Sequence, residues 1–137
     1  MSRLRTGRSL KPFARPWLWC ALWCLGIAWL VVLSLMPGPP MPDFEGSDKV
    51  GHFLAYFLLA AGAVQLFARW SSLLGAGIAL VLLGIGLEYA QGAFTDYRTL
   101  DMRDALANTL GVIAGLGTQL TPLRDLLLRI DGGRKAD

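Results

Sequence analysis

The chain has 137 residues, of which 54% are hydrophobic and only 17% charged. That length holds one domain, and so much apolar surface excludes a disordered chain. Two cysteines inside one apolar run exclude a disulfide scaffold, and a net charge of +3 without a basic stripe excludes a nucleic-acid partner.

A mean hydropathy of +0.47 leaves an integral membrane protein as the class to test. In chain order, residues 1–16 form a basic tail carrying Arg3, Arg5, Arg8, Lys11 and Arg15. An uncharged stretch follows, read as a helix over about 17–36 and stopped by Pro37-Gly38-Pro39-Pro40. It is too long for a signal peptide and no small-x-small cleavage site follows it, so it is expected to stay as an anchor. Further helices are expected at about 49–68, 70–92 and 104–122. Each uncharged run approaches the ~30 Å of a hydrocarbon core at about 1.5 Å per residue. The expected fold is therefore all-α, a bundle of four transmembrane helices over 17–123, with residues 124–137 as a second tail.

Basic residues set the expected orientation. Arg69 lies between the second and third runs, and Arg124, Arg129, Arg134 and Lys135 follow the fourth, on the same side as the N-terminal tail. Lys49, Arg98 and Arg103 fall on the other side. The positive-inside rule puts both termini in the cytoplasm, with Trp17, Trp19 and Trp70 in the inner aromatic belt.

The polar residues cluster at the opposite, outer ends of the helices. Asp48, His52 and Tyr56 are spaced i, i+4, i+8 on one face of the second helix. Gly84, Glu88 and Gln91 share a face near the end of the third, and Asp101, Asp104, Asn108 and Gly111 line one side of the fourth. Polar side chains in a membrane usually face the bundle interior or a wet cavity, so these faces are expected to meet in one pocket. Gly111 and Gly115 form a GxxxG step of the kind that lets membrane helices approach closely.

The segments LSLMPGPPMPDFEGSDKVGHFLAYFLLA, GIGLEYAQGAF and RTLDMRDALANTLGVIAG resemble the VanZ-like family, over about residues 33–117. The resemblance implies a small four-helix membrane protein. The family takes its name from a teicoplanin-resistance accessory protein and has been grouped with proteins that process lipid head groups. It marks Asp48, Lys49, His52, Tyr56, Glu88, Gln91, Arg98, Asp101, Asp104 and Asn108 as the motif positions, and it implies a bacterial cytoplasmic membrane.

The residues themselves support several roles. His52, the sole histidine, is the expected base or nucleophile, with Asp48 or Glu88 orienting it. Arg98 and Lys49 are expected to hold phosphate, and Tyr56, Gln91, Asp101, Asp104 and Asn108 to complete a substrate pocket. Near helix N-termini, Asp48, Asp101 and Asp104 could equally serve as caps. Glu88 stands near a helix C-terminus, where a carboxylate needs a partner such as Arg98 or Lys49. The site is expected to be free of metal and cofactor; the alternative is a divalent cation on Asp101, Asp104 and Glu88. The expected partner is a membrane lipid or lipid-linked envelope precursor. Alternatives are a non-catalytic binder that shields the envelope from lipid-anchored antibiotic, and a proton or ion conduit through His52 and Glu88. Because the inner halves of the spans are nearly apolar, the conduit ranks last.

Overall fold

A computed structural model of the chain describes residues 9–36, 47–96 and 100–132. These form helices α1 (Pro16–Leu35), α2 (Ser47–Leu66), α3 (Trp70–Phe94), α4 (Met102–Gly117) and the short α5 (Leu126–Asp131). Among the described residues the only extended pairing is an isolated bridge between Leu10 and Phe67.

Helix α1 starts where Pro16 takes the first helical position, which needs no N–H donor. It is apolar all round, and none of its residues is buried. A helix of that kind cannot stand in water on its own propensity and needs an apolar medium. Helices α1, α2 and α3 are each long and apolar enough to cross a membrane. Large apolar side chains point outward from all of them, including Leu25, Trp29, Leu58, Ile78 and Leu82. That surface, unbroken by polar faces, marks a membrane protein.

Helix α4 departs from expectation at both ends. Its first residue is Met102, because Asp101 is the N-cap and accepts the Arg103 N–H at 2.9 Å. It stops at Gly117 rather than near 122. There the Thr118 hydroxyl donates to the Gly115 carbonyl (2.7 Å) and the Thr121 hydroxyl to the Thr118 carbonyl (2.7 Å). The chain tightens into 3-10 turns at Thr118–Leu120 and Pro122–Asp125, and Pro122 cannot extend the helix. With 16 residues, α4 alone is about 24 Å long.

The two expected tails are in part ordered structure. Lys11 N–H donates to the Leu66 carbonyl at 2.9 Å, and Ala68 N–H to Ser9 at 2.8 Å. Lys11 is buried, and its ammonium pairs with Asp125 at 2.9 Å. Helix α5 ends at Gly132, in the left-handed region with φ 72°. Its buried Asp131 accepts from Trp19 Nε1 (2.8 Å), Arg15 Nε (3.3 Å) and the Ala14 N–H. Burial alone would raise this carboxyl; the Trp19, Ala14 and Arg15 donors outweigh it and hold Asp131 below the usual range.

The core is thin and lies along α2. Tyr56, Ala60, Leu80 and Val112 form one buried cluster, and Ala63, Val64 and Leu73 another. Helix α4 lies directly on the α2 backbone through its two glycines. A Cβ on Gly111 would collide with the Phe53 carbonyl oxygen. One on Gly115 would lie 2.5 Å from the Phe57 oxygen and 2.6 Å from Ala60 Cβ. Gly75 and Gly86, on α3, face open space. Gly111→Ala should therefore destabilise the protein in detergent by about 1–3 kcal/mol, the usual cost of overpacking. Gly86→Ala should be neutral or stabilise by up to about 1 kcal/mol. Denaturant unfolding of the two variants checks the contrast, and equal losses would contradict the close α2–α4 contact.

Candidate functional site

The α2–α4 contact brings the start of α2 beside the start of α4, and the end of α3 meets both. Lys49, on the first turn of α2, reaches across to α4. Its Nζ lies 2.6 Å from Asp104 Oδ1 and 3.1 Å from Asp101 Oδ2, with Asp48 Oδ2 at 3.3 Å. One turn deeper, His52 Nδ1 is 3.0 Å from Asn108 Oδ1. Because that amide oxygen can only accept, their hydrogen bond requires the ring proton on Nδ1. Nε2 then faces Asp104 Oδ2 at 3.6 Å. Lys49 thus holds one oxygen of Asp104, while His52 Nε2 lies opposite the other.

Glu88 comes in from α3 and is 1% exposed. Its Oε2 accepts the Asp101 N–H at 3.3 Å, so it reaches the N-terminal end of α4, where a carboxylate meets unsatisfied amide donors and the positive end of the helix dipole. This answers the question raised by its place near the C-terminus of α3. One donor atom from each of His52, Glu88 and Asp104 lies within 4.8 Å of the others. Asn108 is buried beneath them. Gly84 makes room for it: a Cβ there would sit 3.1 Å from Asn108 Nδ2 and 3.3 Å from Tyr56 Cε1.

Several expected roles change. Asp48 stays on the rim with its side chain 59% exposed, and the contact described for it is with Lys49. The group that orients His52 is therefore Asn108, with Asp104 on the far nitrogen. Gln91 is buried but turns away from the cluster, donating to the Ser34 carbonyl at 2.7 Å and tying α3 to α1. Tyr56 is part of the core beneath the site. Lys49 already answers three carboxylates, which leaves it poorly placed to hold a phosphate unaided. Arg98 lies outside the described residues.

Among the described residues the cluster is net acidic. Lys49 pairs with Asp48, Asp101 and Asp104, the Arg103 N–H bonds to Asp101, and Glu88 accepts from the Asp101 N–H. The Arg103 N–H, and after it the Lys49 ammonium, hold the Asp101 carboxyl below the usual range. Chemically the site offers an imidazole nitrogen with a fixed tautomer, a sheltered carboxylate and a second carboxylate held by a lysine. The sequence pattern missed the Asn108–His52 bond as the orienting contact. Its signal was present in the shared depth of the two residues, about one turn inside their helices.

No protein-family model matches the chain. It is similar to an uncharacterized protein of the fission yeast Schizosaccharomyces pombe, 37% identical over 82 residues. The match covers 58% of this chain and 48% of that protein, so the chain spans about half the length of the relative it matches. No solved structure matches.

The geometry ranks the ion pairs. Of the three Lys49 pairs, Lys49–Asp104 is the shortest and most sheltered, so a double-mutant cycle of Lys49→Met with Asp104→Asn should show a coupling of about 0.5–3 kcal/mol. The cycle of Lys49→Met with Asp48→Asn should give about 0–1 kcal/mol, as exposed pairs do. Unfolding in detergent measures both, and a larger coupling to Asp48 would refute the ranking.

Proposed function

We propose that the chain is a VanZ-like membrane protein that processes lipid head groups, or lipid-linked envelope precursors, at the outer face of the bacterial cytoplasmic membrane. One observation carries the reading. His52 Nε2, with its tautomer fixed by Asn108, meets Asp104 and the buried Glu88 at one end of an apolar bundle. A lipid with its tails in the bilayer presents its head group at that depth. There His52 Nε2 is the general base that takes a proton from an attacking hydroxyl or water. Asp104 and Glu88 stabilise the imidazolium that results. Arg98 and Lys49 remain the proposed groups for the phosphate side of the head group, and Asp101 and Asn108 the frame around it.

Four spans fit the reading, because α4 and the 3-10 turn Thr118–Leu120 together reach about 30 Å. Lys11, Arg15, Arg69, Arg124 and Arg129 gather at the end opposite the site, which supports cytoplasmic termini. The VanZ-like resemblance supplies the bacterial membrane and the link to teicoplanin. A similar segment occurs in a fission-yeast protein, so the head-group chemistry is the stronger half of the proposal.

The test is purified protein in nanodiscs, incubated with a bacterial lipid extract and followed by head-group mass spectrometry. Wild type and Asp96→Asn, an exposed position that is not part of the cluster, should convert the same lipid species. His52→Ala should still bind that lipid and lose conversion by at least 100-fold, the usual scale of a general base. Binding without conversion by the wild type would favour the shielding protein. Neither binding nor conversion would reject the lipid reading.

A further inference from the structure

The acid-only ligand set for a divalent cation changes once the side chains are placed. Asp101 drops out of any ligand set: Oδ1 accepts the Arg103 N–H and Oδ2 the Lys49 ammonium. His52 comes in. We propose that His52 Nε2, Glu88 and Asp104 Oδ2 form a binding site for a first-row divalent metal ion of the Mn2+ or Zn2+ class.

Three features carry the inference. The first is convergence: three helices each deliver one donor, and the donors lie within 4.8 Å of one another. An ion held at about 2.0–2.2 Å sets its donors roughly 3–3.5 Å apart, so modest side-chain rotation closes the site. The second is the histidine. Metal-binding imidazoles commonly give their other ring N–H to an acceptor that fixes tautomer and orientation, and Asn108 Oδ1 is that acceptor for His52 at 3.0 Å. Lys49 does the same for Asp104, holding Oδ1 at 2.6 Å and leaving Oδ2 toward His52. The third is charge. Glu88 is almost fully buried, and no lysine or arginine among the described residues forms an ion pair with it. A carboxylate so placed is costly without a counter-charge, and a dication shared with Asp104 supplies one.

One imidazole with two carboxylates selects the ion class. All-oxygen sites suit Mg2+ and Ca2+, whereas a nitrogen donor favours Mn2+ through Zn2+. The site does not depend on the lipid reading. The Nε2 lone pair cannot hold a metal ion and take a proton at once, so with a dication bound His52 is a ligand and not the base of the lipid reading; the ion would then turn a net-acidic cluster into one that accepts an anionic phosphate, and that consequence does rest on the lipid reading.

The experiment uses the full chain, purified in detergent without a polyhistidine tag and without added lipid. Mn2+ is titrated and followed by EPR, with pulsed EPR for nitrogen coupling. The expected result is one Mn2+ per chain, carrying an imidazole nitrogen coupling and displaced by Zn2+. His52 is the sole histidine, so that coupling in the wild type assigns the ligand even if a variant fails to fold. Asn108→Ala should weaken binding about 10- to 100-fold, and Asp96→Asn should leave it unchanged. Glu88→Gln should abolish stoichiometric uptake. No uptake of Mn2+ or Zn2+ by the folded wild type would overturn the proposal, and so would bound Mn2+ without nitrogen coupling. A chain that binds metal but leaves every lipid unaltered would keep the metal site and reject only the lipid reading.

Discussion

The rest of the molecule depends on the contact of two glycines with a neighbouring backbone. Gly111 and Gly115 let α4 lie on the carbonyls of Phe53 and Phe57, so α2 and α4 share one register. That register sets Lys49 against Asp101 and Asp104, and His52 against Asn108 and Asp104. Gly84 then admits Asn108 and Tyr56 beside α3, which carries Glu88 to the start of α4. A side chain at Gly111 would push the α2 and α4 backbones apart and separate donors that must lie within hydrogen-bond reach. The small residues are thus structural, and the chemistry is a consequence of how closely they let the helices approach.

The two ends of the bundle treat charge in opposite ways. At the end where residues 9–15 meet residues 124–131, each buried charge among the described residues has a partner. Lys11 meets Asp125, and Asp131 is surrounded by Trp19, Ala14 and Arg15. Gln65 adds two bonds, to the Leu123 carbonyl and from the Leu127 N–H. Matched, inward charges of this kind close a structure. At the other end carboxylates exceed the described cations, and the most buried of them is held by a backbone N–H. Among the described residues, that excess is the charge the proposed metal ion would balance.

Much of the helical frame was legible in the sequence. The uncharged runs gave α1, α2 and α3, because charge is excluded from a span, and Pro16 marks the start of α1. Helix α4 was read too long, since an uncharged run continues through Thr118 and Thr121 although their hydroxyls bond to their own backbone. The faces of Asp48, His52, Glu88, Asp104 and Asn108 followed from helical spacing. Spacing cannot say which neighbour a face meets, and so Gln91 was assigned to the site although it bonds to α1. Nor could it show that Lys49 is already engaged by Asp101 and Asp104. The pairing of Lys11 with Asp125 and of Arg15 with Asp131 spans most of the chain and leaves no local signature.

The central claim is that Asn108, from α4, fixes the ring of His52, from α2, so that Nε2 is free toward Asp104 and Glu88. The most direct measurement is nitrogen NMR of ring-labelled histidine in the full chain, where one histidine gives one pair of ring signals. The expected result is the Nδ1–H tautomer, shifting to a mixture of tautomers in Asn108→Ala. A ring protonated at Nε2 in the wild type, or one indifferent to the loss of Asn108, would contradict it.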